Sequence, residues 1–150
     1  MRENINVGES QLKKNRRIAI FLPSLSGGGA EKMMVNLAKG FVKKGLKIDL
    51  VLANATGPYI SMVPKEVNII DLKSKRMILS LFKLAKYLKE FHPKTLLVTL
   101  ESANVIALIA NSISRSSTKI VIRIPNNISQ QIDNANNFKN KLILYIGKYL

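Results

Sequence analysis

The chain has 150 residues, 47% of them hydrophobic, so it can fill the core of one domain and is too apolar for a disordered protein. It contains no cysteine, which excludes disulfides and thiolate metal sites and is compatible with a reducing cytoplasm. The 24 Lys and Arg residues against nine Asp and Glu give a net charge of +15. This excess favours anionic partners, although a solubilising lysine-rich surface has the same composition.

The two ends of the chain carry different signals. Residues 1–15 are polar and basic and contain no apolar h-region, so they predict a flexible tail rather than a secretory signal. No stretch approaches the ~18 uninterrupted apolar residues of a membrane span. We therefore expect a cytoplasmic protein. The sequence stops at Leu150 inside a helical pattern, which indicates a truncated domain, with a natural short product as the alternative.

From Arg17 onward, short apolar runs that predict buried strands alternate with helical patterns. The predicted strands are residues 17–22, 46–53, 67–72, 95–100 and 119–124. After the first strand, apolar residues recur at helical spacing, namely Met33, Met34, Leu37, Ala38 and Phe41, and Gly45 ends that helix. Further helices are predicted over residues 76–91, 102–113 and from 139 onward, with Pro93 ending the first and Ser102 capping the second.

This alternation predicts an α/β fold with a doubly wound parallel sheet, Rossmann-like, over residues 16–150. In such sheets ligands bind beyond the carboxyl ends of the strands, and the first strand-to-helix turn is the usual phosphate contact. Residues that follow predicted strands are therefore the candidates for a binding site.

Three consecutive glycines, Gly27, Gly28 and Gly29, occupy that first turn, and Ala30 begins the following helix. Glycines there permit positive φ, and the bare amides of a helix N-terminus can face an anion. The alternative is that they only turn the chain. The dinucleotide-binding pattern G-x-G-x-x-G is not met, because Lys32 stands where the third glycine is required, and this disfavours a nicotinamide enzyme. The phosphate-loop pattern G-x-x-x-x-G-K-[S/T] is absent, which disfavours a nucleoside triphosphatase.

The residues of this turn resemble a known family. The run L-S-G-G-G-A-E-K followed by M-V-N-L-A is similar to the first strand, loop and helix of family 4 glycosyltransferases, which have the two-domain GT-B fold. The likeness continues over residues 16–150, through Gly57-Pro58-Tyr59, Val63-Pro64, the predicted strand 67–72, Pro93 and Asn104.

The resemblance implies an N-terminal half of a GT-B enzyme, which holds a glycan or lipid-linked acceptor and contacts the diphosphate of a nucleotide sugar. The C-terminal domain that binds most of the donor and supplies a paired-glutamate motif has no counterpart in these residues. The resemblance therefore implies no transfer by the 150 residues alone, and completion by such a domain on the same or on another chain. The nucleotide sugar is a substrate, and no cofactor is expected.

Four sets of residues are candidates for the binding site. The glycines with Ala30 are assigned to the diphosphate. Beyond the fifth strand, where the family often has a histidine or an acidic residue, Arg123 is a candidate for a phosphate and Asn126 for a sugar hydroxyl. Glu101, after the fourth strand, either contacts an acceptor hydroxyl or caps the next helix. With one histidine, His92, placed at a helix end, no metal site is expected and the catalytic residue is not identified.

Two groups of basic residues predict attachment to an anionic membrane: Arg76, Lys83, Lys86 and Lys89, and Lys13, Lys14, Arg16 and Arg17. An ordinary solvated face is the alternative. Two other functions stay open, a noncatalytic partner subunit of a split transferase and a basic nucleic-acid-binding module. The second is disfavoured, because aromatic residues make up only 6% of the chain, tryptophan is absent, and no interleaving of aromatic with basic residues offers a stacking platform.

Overall fold

The computed structural model describes residues 17–123. Its five strands are β1 (Arg17–Leu22), β2 (Lys47–Leu52), β3 (Asn68–Asp71), β4 (Thr95–Thr99) and β5 (Lys119–Arg123). They form one sheet in the order β3-β2-β1-β4-β5, and every neighbouring pair is parallel. The doubly wound, Rossmann-like fold is therefore confirmed. The expected tail over residues 1–15, the helix from residue 139 and Asn126 lie outside the described residues.

Three α-helices cover the sheet: α1 (Gly29–Lys43), α2 (Ser80–Phe91) and α3 (Glu101–Ser114). Helix α1 packs on one face, where Met34 and Ala38 meet Ile20 of β1. Helices α2 and α3 pack on the other face, against Phe21 of the same strand. The central strand β1 is therefore buried on both faces, which is why its sequence is a continuous apolar run rather than an alternating one.

Two of the observed helix ends agree with the ends predicted from the sequence, and a third differs. Gly45 follows α1 with φ 73°, and His92 ends α2 in the left-handed conformation before Pro93. Ser102, expected to cap α3, lies inside that helix instead. The helix starts earlier because the amide of Asn104 already donates to the carbonyl of Leu100, 3.0 Å away.

A buried carboxylate ties four elements together near the amino ends of the strands. Asp49 of β2 accepts hydrogen bonds from Arg17 at 2.8 Å, the hydroxyl of Tyr87 at 2.6 Å and the side-chain amide of Asn68 at 3.2 Å. The guanidinium of Arg17 also lies over the ring of Phe91, 5.2 Å from its centre. Arg17 is thus bound within the fold, and membrane attachment through its basic group stays a prediction.

The same network changes the acidity of Tyr87. Burial of its hydroxyl, and then the hydrogen bond to Asp49, raise the pKa of Tyr87 well above its usual value near 10. The tyrosine therefore acts as a neutral donor that compensates the buried charge of Asp49.

Candidate functional site

The carboxyl edge of the sheet contains a change in the direction of the strand order, which we call the switch point of the sheet. Strands β2 and β3 lie on one side of β1, and β4 and β5 lie on the other. The chain leaving β1 enters α1 on one face, whereas the chain leaving β4 enters α3 on the opposite face. Loops that diverge in this way leave a crevice at the strand ends, which is where ligands bind in doubly wound sheets.

The three predicted glycines follow β1 at this crevice, and each has different surroundings. Gly27 has φ 113°, a conformation that side-chain-bearing residues rarely adopt. Gly28 is the N-cap of α1 at φ −75°, and a Cβ there would overlap the carboxylate of Glu31. Gly29 has no positive φ and no atom within 4 Å of the position a Cβ would take. Local structure therefore favours a glycine at Gly27, whereas at Gly28 only the flexible end of Glu31 stands in the way and at Gly29 the space is open.

The amides of this turn are available to an anion. The first backbone hydrogen bond of α1 runs from the amide of Lys32 to the carbonyl of Gly28, at 3.1 Å. The amides of Gly29, Ala30 and Glu31 consequently have no partner inside the helix, and they carry its partial positive charge. The carboxylate of Glu31 lies back against Gly28, where a negative charge stabilises a helix N-terminus.

A second loop, after β2, holds the glycine turn in place. Gly57, at φ 118°, packs so closely on Leu25 that a Cβ would overlap the Leu25 carbonyl. The amide of Leu25 donates to Thr56 at 2.8 Å, and the hydroxyl of Tyr59 donates to the carbonyl of Gly27 at 3.1 Å. Sequence reasoning connected Gly57 and Tyr59 only with the family likeness and missed this supporting role. The signal that could have found it was the Gly57-Pro58 pair in the turn that follows the predicted strand 46–53.

Glu101 and Arg123 lie at the same edge as the glycines, at the ends of β4 and β5. Glu101 is exposed in the first turn of α3, and the N-cap there makes no side-chain hydrogen bond. Arg123 is exposed, and its backbone carbonyl accepts a hydrogen bond from Thr99 at 3.3 Å. Three adjacent strands, β1, β4 and β5, thus bring these candidates to one edge. Asn126 lies outside the described residues.

The junction between β4 and α3 has an unusual backbone. Leu100 adopts φ 81° and ψ 132°, which costs about 1–3 kcal/mol for a residue with a side chain. Nearby, the side-chain oxygen of Asn104 is buried and has no hydrogen-bond partner among residues 17–123. Strained and unpaired groups of this kind are concentrated at functional sites.

Other features of the described chain do not add to this site. A cavity of about 440 Å³ lies at the opposite edge of the sheet, beside Arg17, Lys47 and Asn68 at the starts of their strands. Residues 17–123 contain no cluster of three or more His, Asp or Glu side chains that could hold a metal ion. None of the helices in this range combines the length and apolar character needed to cross a bilayer.

Comparison with known proteins gives a likeness of fold. No family model matches the chain, and no curated protein matches it. Among solved structures, the apo form of the lipopolysaccharide outer core galactosyltransferase WaaB is similar, with a TM-score of 0.59 and 18% identity. The alignment covers 71% of this chain and 32% of WaaB, so the chain spans about a third of the length of that enzyme. At this identity the likeness concerns the fold alone, which is Rossmann-like.

Proposed function

We propose that the chain is the acceptor-side, N-terminal Rossmann domain of a family 4 glycosyltransferase of the GT-B fold. In this proposal its glycine turn contacts the diphosphate of a nucleotide-sugar donor. The observation that carries the proposal is the open space at Gly29. This residue lies beside the free amides at the start of α1, at the edge of the sheet where the strand order changes direction. The family likeness of the sequence and the fold shared with WaaB support the same assignment.

The chemistry required of this domain is electrostatic. When a glycosyl group leaves a nucleoside diphosphate, negative charge grows on the leaving oxygen, and oriented amides stabilise that charge without reorganising. The amides of Gly29 and Ala30, at the positive end of α1, are suited to this task. A bare backbone at Gly29 permits a closer approach of the phosphate than any side chain would.

Two of the remaining candidates have roles at the same edge: Arg123 supplies positive charge for a phosphate or a pyrophosphate-linked acceptor, and Glu101 accepts a hydrogen bond from an acceptor hydroxyl. Asn126, outside the described residues, is assigned to a sugar hydroxyl. A second Rossmann domain, on the same polypeptide or on another chain, binds the rest of the donor. The 150 residues do not transfer sugar without that domain, and no cofactor is needed besides the nucleotide sugar itself.

The proposal is tested by following backbone amides in NMR spectra of the isotopically labelled 150-residue chain. The titrants are inorganic pyrophosphate and the diphosphates of uridine, guanosine and adenosine. We expect the amide signals of Gly28, Gly29 and Ala30 to shift with at least one titrant. A Gly29→Val variant should lose these shifts, because its side chain fills the open space.

The control is Gly40→Val, at another glycine of α1 that also has no atom within 4 Å of its Cβ position. It makes the same change in the same helix, far from the turn, and should bind as the wild type does. The proposal is wrong if no titrant shifts the turn amides, or if Gly29→Val and Gly40→Val bind alike.

A further inference from the structure

Helix α3 carries no cation in a strongly basic protein. No lysine or arginine occurs between Lys94 and Arg115, which is the longest interval without one in the chain. The other two described helices expose several lysines, namely Lys32 and Lys43 in α1 and Lys83, Lys86 and Lys89 in α2. Two molecules with a net charge of +15 repel each other. Among the three described helices, α3 is therefore the one on which a second copy meets the least repulsion.

The outer face of α3 also exposes apolar side chains. Leu108 is 48% exposed and Ile113 is 49% exposed, whereas the opposite side of the helix is buried against the sheet and α2. Removing such side chains from water is favourable, and nothing within residues 17–123 covers them further. A partner that packs on this face would bury them.

Five residues form one stripe along the outer face of α3. Spacings of four, three, four and three positions place them on the same side of a helix, opposite the buried side. In chain order they are Glu101, Val105, Leu108, Ser112 and Arg115. All are exposed except Val105, which is half-buried. We call these five residues the α3 stripe.

The α3 stripe is complementary to itself in the reverse direction. Leu108 is seven residues after Glu101 and seven residues before Arg115. A two-fold axis at Leu108 therefore brings each Glu101 opposite Arg115 of the second copy. It also brings Val105 near Ser112, whose small side chain leaves room. A parallel pairing of the two helices would instead set like charges side by side.

We propose that the protein forms a two-fold symmetric dimer in which the α3 stripes of two copies pack antiparallel. The contact uses the same surface on both copies, as a two-fold axis requires. Two ion pairs, each between Glu101 of one copy and Arg115 of the other, flank a central contact between the Leu108 side chains. One helix face is smaller than the ~800 Å² that each partner buries in a standard interface. The dimer should therefore dissociate in the micromolar range or above.

The dimer brings a residue of the second copy to the candidate site. Glu101 lies at the carboxyl edge of the sheet, so Arg115 of the second copy adds a positive charge at that edge. A carboxylate has lone pairs for a guanidinium and a hydroxyl together, so this pairing is compatible with the acceptor contact proposed for Glu101. The association itself does not depend on the proposed function.

Sedimentation equilibrium of the 150-residue chain measures the association. In about 0.15 M sodium chloride the screening length of about 8 Å limits repulsion between the copies. We expect the average mass to rise toward that of a dimer between about 10 µM and 1 mM protein. Leu108→Lys should weaken the association about tenfold or more, because the two new charges meet at the axis. The control is Ile69→Lys in the edge strand β3, where the side chain is 37% exposed, and it should associate as the wild type does.

Exchange of the charges tests the antiparallel register. Glu101→Arg alone and Arg115→Glu alone set like charges opposite each other, so each should weaken self-association about tenfold or more. An equal mixture of these two variants regains both ion pairs and should form a heterodimer as tight as the wild-type dimer. A variant with both substitutions should dimerise as well. The same charges also stabilise the ends of α3, but the double variant reverses that effect, so its association reports the contact alone.

Three results would overturn the proposal. They are a chain that stays monomeric up to about 1 mM, a Leu108→Lys variant that associates like Ile69→Lys, and a mixture of the single charge variants that associates no better than either alone. Circular dichroism of every variant shows whether its fold is kept. None of these measurements contains a nucleotide or a sugar, so the dimer can fail while the diphosphate titration succeeds, and the reverse.

Discussion

Gly57 and Gly29 lie in neighbouring loops at the carboxyl edge, but different constraints act on them. Gly57 combines φ 118° with a backbone neighbour, the carbonyl of Leu25, inside the space of a Cβ. Gly29 has an ordinary φ and empty surroundings. A requirement of the fold therefore accounts for the first glycine, whereas no contact in the described fold requires a glycine at the second.

Replacing each of these residues by alanine should separate the two causes. Gly57→Ala is expected to lower the free energy of unfolding by more than about 2 kcal/mol, because it adds positive-φ strain and displaces the Leu25 backbone. Gly29→Ala should stay within about 0.5 kcal/mol of the wild type. Urea unfolding followed by circular dichroism measures both. A Gly57→Ala variant as stable as Gly29→Ala would contradict the close contact between the two loops.

At the scale of elements, Asp49 joins parts of the chain that local sequence does not connect. Its partners come from β1, from the start of β3 and from α2, while Asp49 itself lies in β2. The buried carboxylate of Asp49 needs all of these hydrogen-bond donors. If one donor is missing, a carboxylate oxygen is removed from water and has no hydrogen bond in return. The network therefore fixes α2 against the amino half of the sheet.

The raised pKa of Tyr87 makes stability depend on pH in the alkaline range. The folded protein keeps the proton of Tyr87, whereas the unfolded chain releases it above about pH 10. The contribution of Tyr87 to the free energy of unfolding is complete below that pH. Above it, this contribution decreases by up to about 1.4 kcal/mol for each pH unit. Urea unfolding between pH 9 and 11, about the pKa of free tyrosine, should show a steeper loss for the wild type than for Tyr87→Phe. Equal slopes would refute this account.

Apolar runs and helical spacing predicted all five strands and the three described helices, because those patterns follow from burial in a two-faced sheet. Two details at the ends could not be predicted. Arg17 meets Asp49 only because the register places Ala19 opposite Asp49, a relation between residues far apart in sequence. Leu100 starts α3 with a positive φ that local sterics disfavour, so Ser102 was the natural but wrong choice of cap.

For the candidate site too, the sequence patterns predicted the position of residues along the sheet but not their contacts. The glycine turn, Glu101 and Arg123 could be assigned to one edge, since the carboxyl ends of parallel strands share an edge. The support from Gly57 and Tyr59, and the open space at Gly29, depend on loop conformations that short-range patterns do not encode.

At the scale of the whole molecule, positive charges outnumber the negative ones that could neutralise them. The net charge is +15, and the described part of the chain contains a single ion pair, between Arg17 and Asp49. Like charges on a compact surface repel one another, and dissolved salt screens that repulsion.

Salt should therefore stabilise this protein. Raising sodium chloride from about 0.01 M to 0.15 M shortens the screening length from about 30 to 8 Å. We expect the melting temperature to rise by about 2–4 °C, which corresponds to roughly 0.5–1 kcal/mol for a domain of this size. Differential scanning calorimetry measures the change. A variant that combines Lys43→Gln with Lys44→Gln carries two fewer positive charges and should respond less. A melting temperature that falls with salt would contradict the prediction.

The strand order also determines when each edge of β1 can pair during synthesis on the ribosome. The central strand β1 is synthesised early, but its Ile18 pairs with Thr95 of β4. One edge of β1 therefore cannot pair until most of the described chain has been synthesised. At about 5–20 residues per second, that edge stays unpaired for roughly 4–16 seconds. During this interval an apolar strand is open to chaperones and to other nascent chains. Translation speed between β1 and β4 should therefore affect the yield of folded protein more than speed after β4.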